Sequence, residues 1–161
     1  MIESKKYSVV AIGNAMLDLM CEVPDQFLSQ ERISKGVMNL VSRERSNNIL
    51  KLVQPIKETA GGSAANTIST LAKLGLKTGY IGKIADDPKG MVFKRDLLDN
   101  SIFYNTDFLD QGYTEATGKC IVLITPDKER TMNTYLGATE FLTDIDIDEE
   151  LIAQSECCLL Y

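Results

Sequence analysis

Residues 61–90 read GGSAANTISTLAKLGLKTGYIGKIADDPKG, and the order of signals within them decides the fold. Paired glycines Gly61-Gly62 lead into Ser63-Ala64-Ala65-Asn66, after which Ile68, Leu71 and Ala72 recur at helical spacing until Gly75 stops the helix. Thr78 to Ile84 is a predicted strand. Asp87-Pro88 then joins an N-cap residue to a proline at the first helical position, where a missing N–H is harmless, and Met91, Val92, Leu97 and Leu98 carry the next helix. Helix, strand and helix in this rhythm belong to a layered α/β fold.

The same rhythm extends outward. Tyr7 to Gly13 (YSVVAIG) is β-branched and apolar, a buried first strand ending at a glycine. Asn14 to Met20 keeps an extended character until Pro24, and Val37 to Val41 is a further short strand. Ser42 is placed to cap a helix running through Ile49, Leu50 and Val53 to the break at Pro55. Downstream, Cys120–Thr125 and Arg130–Leu136 flank the polar turn Pro126-Asp127-Lys128-Glu129, a hairpin expected to stand out from the main sheet. A short helix is predicted near Ile147–Ala153. The final run Cys157-Cys158-Leu159-Leu160-Tyr161 reads as a buried strand, with both cysteines as small core residues. A chain that stops inside such a strand is expected to be part of a longer one.

Composition excludes several classes. The 161 residues contain no histidine, which removes a His-dependent triad, a His general base and the commonest zinc ligand. Lys+Arg number 17 against 23 Asp+Glu, a net charge of −6, so a global positive field for nucleic acid or an anionic membrane is missing. The lead-in from Met1 holds no apolar stretch of signal-peptide or membrane length, and the four cysteines show no C-x-x-C spacing. A cytoplasmic location is expected, with no metal, nucleic-acid or membrane partner.

Three features point to chemistry. Asp18 sits among Ala15, Met16, Leu17, Leu19 and Met20, where a carboxylate is costly to bury and so is expected to face a cavity or a hydrogen-bonding ligand; the alternative is an aspartate on the wet side of an edge strand. Gly61-Gly62 at a helix start permits close approach of a ligand to free N–H groups, with Asn66 on the first turn; otherwise it is a mobile turn capped by Ser63. Arg130, one residue beyond the hairpin turn, suits neutralisation of a phosphoryl group, or else is a surface ion-pair residue. Neither G-x-G-x-x-G nor G-x-x-x-x-G-K-[ST] occurs.

Taken in order, Gly13-Asn14-Ala15-Met16-Leu17-Asp18, the stretch Gly61 to Gly90, and Thr125-Pro126-Asp127-Lys128-Glu129-Arg130-Thr131-Met132 resemble the first-strand substrate motif, the N-terminal signature and the lid hairpin of the ribokinase (PfkB) family. The resemblance covers Tyr7 to Tyr161. Gly61-Gly62-Ser63-Ala64-Ala65-Asn66 stands in place of the ribokinase-type Gly-Gly-Lys-Gly-Ala-Asn and looks more like the adenosine-kinase branch.

The resemblance implies the N-terminal part of a ribokinase-like, Rossmann-like, mostly parallel sheet with flanking helices, plus a small β lid from segments near 17–23, 37–41 and 120–136. It implies a substrate site in which Asp18 accepts hydrogen bonds from sugar hydroxyls beside Asn14, Gly61, Gly62 and Ser63 present backbone, and Asn66 holds a hydroxyl. Met16, Met38, Leu40, Met132, Thr134 and Leu136 match the apolar walls, and Arg130 moves in with the lid to meet phosphate. Asp87-Pro88 is expected to be a helix cap alone. The implied activity is transfer from MgATP to a primary hydroxyl of a nucleoside, adenosine favoured; a sugar such as ribose or fructose is the rival acceptor, and a non-catalytic ligand- or partner-binding protein the rival class. Homo-oligomerisation through the lid or an exposed sheet edge is compatible with this layout. The family's Gly-Ala-Gly-Asp motif, which carries the general base beside the nucleotide site, does not occur in these residues, so the ATP and Mg2+ sites are expected outside them and the chain alone is expected to be inactive.

Overall fold

The computed structural model describes residues 5–160; Met1–Ser4 and Tyr161, the last residue of the predicted final strand, lie outside them. In chain order the strands and helices are β1 (Tyr7–Ile12), β2 (Met16–Glu22), α1 (Asp25–Gln30), β3 (Met38–Leu40), α2 (Arg43–Leu52), β4 (Lys57–Gly61), α3 (Ser63–Lys73), β5 (Thr78–Ile81), α4 (Pro88–Asp99), β6 (Phe103–Tyr104), β7 (Gly118–Ile124), β8 (Arg130–Tyr135), α5 (Glu149–Ala153) and β9 (Ser155–Leu160). Two sheets result. One is parallel throughout, in the order β6-β5-β1-β9; the other is mixed, in the order β3-β8-β7-β2-β4.

The parallel sheet is the expected α/β layer. β1 is paired on both edges, by β5 and β9, and covered on both faces, with Ala11 in one core and Val10 in another, which is why its sequence is apolar with little alternation. Ala64, Ala65 and Ile68 of α3 and Phe93 and Leu97 of α4 meet Ala11, Tyr80 and Tyr104 in one core. Each large apolar side chain buried there is worth about 1.5–3 kcal/mol.

The mixed sheet holds the expected lid segments as β2, β3 and the hairpin β7-β8, with β4 as a fifth strand. It has two different faces. Leu17, Leu19 and Cys21 of β2 and Ile121 and Leu123 of β7 are fully buried against Leu28 of α1 and Ile49 of α2. The alternate residues, Met16, Asp18 and Met20, point to the other face, as the two-residue period of a strand requires.

Local signals explain the helix ends. The Ser42 hydroxyl accepts from the Arg45 amide at 3.1 Å, and the Asp87 carboxylate from the Gly90 amide at 2.8 Å. Three expectations shift. The strand from Thr78 ends at Ile81, because the Gly82 amide donates to the Thr106 hydroxyl and its carbonyl accepts from Tyr104. Ser63 is the first residue of α3 and not its cap; Gly62 takes that place at φ +92°. Cys157 and Cys158 are exposed, because β9 is an outer strand of its sheet and no described element covers them.

Candidate functional site

Cross-strand register assembles the site. Asp18 of β2 lies beside Cys120 of β7, which pairs with Thr134 of β8, which pairs with Leu40 of β3. The next row is Met20, Val122, Met132 and Met38. Both rows face a cleft of about 600 Å³ that is also lined by Asn14, by Gly62, Ser63 and Asn66 at the start of α3, and by Met16, Leu136, Gly36, Glu129 and Arg130. All of the residues that the resemblance assigns to the substrate site therefore meet in one cleft except Gly61, whose backbone lies against the Asp18 carboxyl.

Gly61 has a defined structural reason. A Cβ built on it would stand 2.1 Å from Asp18 Cγ and within 2.4 Å of both carboxylate oxygens, so only glycine lets the Asp18 carboxyl lie flat on this backbone. At Gly62 a Cβ would stand 2.6 Å from the Asn14 carbonyl oxygen, and φ is +92°. The two glycines admit the protein's own Asp18 and Asn14, where the sequence suggested only close approach of a ligand.

Asp18 is the electrostatic centre. Its carboxyl has no hydrogen-bond partner among the described residues, and burial pushes it up to about 6 from the usual carboxylate range, with the positive charge of Arg130 opposing that rise. The expected alternative, an aspartate on the wet side of an edge strand, does not describe it: β2 is interior to its sheet, between β7 and β4. The N-terminal turn of α3, whose free N–H groups are directed toward the chain entering the helix, lines the same cleft.

Arg130 forms no ion pair among the described residues, so the surface ion-pair alternative finds no partner there. It stands at the start of β8, after a turn that is tied down. Lys35 Nζ donates to Asp25 Oδ1 and Asp127 Oδ2, both at 2.6 Å, and Asp127 also accepts from the Thr125 hydroxyl at 2.6 Å. These bonds hold the Asp127 carboxyl down to about 2.

Asp87 lies outside the cleft. Beyond capping α4 it accepts from the Thr117 amide at 2.9 Å and the Thr117 hydroxyl at 2.8 Å. Met20, Gly36, Cys120, Val122 and Glu129 line the cleft but were not singled out from the sequence. Met20 had a signal, the two-residue period continuing from Met16 and Asp18; Glu129 had none. Among the described residues no cluster of His, Cys, Asp and Glu is arranged to hold a metal ion, and no helix is long and apolar enough to cross a membrane.

The chain and its fold have relatives among known proteins. The crystal structure of adenosine kinase from Sinorhizobium meliloti is 37% identical and superposes with a TM-score of 0.88 over 96% of this chain and 47% of that one. A probable sugar kinase from Rhizobium etli is 33% identical with a TM-score of 0.89, covering 97% and 47%. A 5-dehydro-2-deoxygluconokinase of Geobacillus kaustophilus is 32% identical over 124 residues, 70% of this chain and 36% of that protein. The chain thus spans less than half the length of each of these relatives. Its residues 8–160 match the pfkB family of carbohydrate kinases, and the chain belongs to that family.

Proposed function

We propose that this chain holds the phosphate acceptor of an ATP-dependent kinase, and that the acceptor is a nucleoside, adenosine before others, phosphorylated on a primary hydroxyl. The observation that carries this reading is Asp18, a carboxylate without a hydrogen-bond partner among the described residues, facing a cleft that the first turn of α3 also lines. A carboxylate left in this state is ready to accept from two vicinal hydroxyls, and hydrogen bonds to a charged group are the strong ones.

The rest of the cleft suits a base. Met16, Met20, Met38, Leu40, Met132 and Leu136 offer thioether and branched apolar groups, against which a flat heteroaromatic ring packs well and a small sugar bearing hydroxyls on every side does not. About 600 Å³ falls in the usual range for sites holding molecules of nucleoside size. Asn14 and Asn66 would donate to and accept from the remaining sugar hydroxyls. Arg130, carried on the lid of β2, β3, β7 and β8, would neutralise charge developing on the transferred phosphoryl group.

ATP with Mg2+ would supply the γ-phosphoryl. The residues of this chain do not fit that donor: the cleft has a single guanidinium, and the Gly61-Gly62 turn is filled by Asp18 and the Asn14 carbonyl. Their work is to bind and orient the acceptor, which is a large share of catalysis in phosphoryl transfer.

A sugar acceptor is the second reading, favoured by the relatives described as 5-dehydro-2-deoxygluconokinases. Ser63 stands where a ribose-type site is expected to carry lysine. Calorimetric or ligand-observed NMR titration of the chain with adenosine, ribose and 5-dehydro-2-deoxygluconate tests the proposal. Binding of adenosine that is lost in Asp18→Asn is the expected result. Preference for either sugar would move the assignment to the second reading, and binding of none would sink both.

A further inference from the structure

We infer that Asp87 and Asp96, toward opposite ends of α4, are positioning residues that brace the strands on either side of β2 and so hold Asp18 in place against Gly61. Sheet order supplies the geometry, since β2 lies between β7 and β4. On the β7 side, Asp87 takes both the amide and the hydroxyl of Thr117, the residue that enters β7. On the β4 side, Asp96 Oδ2 accepts from the Ala60 amide at 2.7 Å and the Thr59 hydroxyl at 2.9 Å. Asn100 approaches the other carboxylate oxygen, Oδ1, at 3.4 Å.

These contacts fall at the positions that matter. Thr59 is the register partner of Asp18 and Ala60 of Leu17, and Gly61, the next residue, is the backbone on which the Asp18 carboxyl lies. β4 is an outer strand, so the Ala60 amide points away from β2 and would otherwise be an unpaired edge donor. The helix itself is anchored in both cores, with Phe93 and Leu97 in one and Val92 packed against the other. Nine residues of helix separate the two carboxylates by about 14 Å, enough to reach across two strand spacings of about 4.8 Å each on an oblique path. An ordinary cap needs only the Gly90 contact, and an ordinary surface aspartate needs neither of the two contacts that Asp96 makes to β4.

The inference takes its importance from the reading of Asp18 as the acceptor's carboxylate, but its test needs no acceptor. The Asp18 carboxyl is titrated by NMR in the whole 161-residue chain and in Asp96→Ala and Asp96→Asn. The other titratable groups lining the cleft with Asp18, namely Arg130, Glu129 and Cys120, are unchanged in sequence in all three proteins. In Asp96→Ala the Thr59–Gly61 backbone loosens, water reaches Asp18, and its midpoint falls from about 6 toward the ordinary aspartate range. Asp96→Asn removes the same charge but keeps an oxygen for the Ala60 amide, so its midpoint stays near the wild-type value. Equal midpoints in the two variants would overturn the inference, whatever their melting temperatures. Should Asp96→Ala fail to fold, Thr59→Val removes one of the two bonds from a residue suited to strands; a smaller fall in the same direction is expected, and an unmoved midpoint overturns the proposal. A chain that binds no acceptor yet shows this pattern would leave the brace standing and refute only the functional reading.

Discussion

The carboxyl of Asp18 rests on the backbone of Gly61 with no room for a methyl group between them, since a Cβ there would approach all three carboxyl atoms within 2.4 Å. Gly61→Ala must therefore displace either Asp18 or the end of β4. Overpacking of this kind costs about 1–3 kcal/mol. The variant is expected to melt earlier by that margin in thermal or urea unfolding and to lose acceptor binding. A variant that binds the acceptor as wild type would show that Asp18 is free to move away, contrary to its fixed placement here.

Asp18→Asn is expected to move stability and binding in opposite directions. Burial raises the folded-state value of this carboxyl to about 6, above that of the unfolded chain, so the folded state holds more protons between the two values. Stability from this group is greatest at acid pH and falls as pH rises toward 6, the reverse of a salt-bridged aspartate. At pH 7 the neutral amide removes that penalty, at most about 3 kcal/mol for a rise from 3.8 to about 6, and less in so far as the carboxyl is reached by water. Acceptor binding should weaken by about 1.5–3 kcal/mol, as for a lost hydrogen bond to a charge. In the wild type, affinity should decline as pH drops through 6. Denaturant melts and titrations at pH 5 and 7.5 check both signs; an acceptor affinity flat across that interval would mean that the ionised carboxylate is not the acceptor's partner.

Arg130→Ala isolates the hairpin charge. Arg130 is what opposes the upward pull of burial on Asp18, so its removal should raise the Asp18 midpoint further. Binding of an uncharged acceptor at pH 7.5 should change little as long as Asp18 stays ionised. In a protein extended to the length of its solved relatives, the same substitution should chiefly lower kcat, because a flap arginine acts on charge that develops during transfer. Normal turnover would return Arg130 to the role of a solvated surface residue.

What the sequence reveals and what it hides follow from the range of the interactions. The caps at Ser42 and Asp87 are local chemistry and lie where their residue types say. Asn14, Asp18 and the Gly61–Asn66 turn carry a motif whose pattern is legible in the sequence. β4 was not, because Lys57-Glu58-Thr59-Ala60-Gly61 has neither apolar alternation nor β-branched density, and its pairing comes from β2 and Asp96. α1 has six residues after Pro24 and no side-chain cap, too little for a periodic signal. Cys157 and Cys158 look like core residues in the sequence because an apolar run gives no hint that its strand lies at the edge of a sheet. Cys120, Val122 and Glu129 reach the cleft through register and turn geometry, which are properties of strand pairs and are not written in either strand alone.

The last expectation concerns the 161 residues by themselves. Incubated with MgATP and adenosine or ribose, they should transfer no phosphate. The carboxylates of the cleft, Asp18 and Glu129, belong to its acceptor and hairpin sides, and neither is accompanied by a cradle for a triphosphate. The chain should also self-associate. β9 exposes Cys157, Cys158 and Leu160, the last at 71%, along the outer edge of the parallel sheet, and β3 exposes Met38 at 53% and Leu40 at 65% along the outer edge of the mixed one. Unpaired strand edges carrying apolar side chains are templates for pairing with another copy. Gel filtration with light scattering over a range of concentrations should show mass rising with concentration, and Leu160→Lys should reduce the rise if β9 is the contact, Met38→Lys if β3 is. A coupled ADP-release assay on the same fractions completes the test: a stable monomer that releases ADP only when an acceptor is added would show that this length of chain already contains a donor site, and would overturn the division of labour proposed for it.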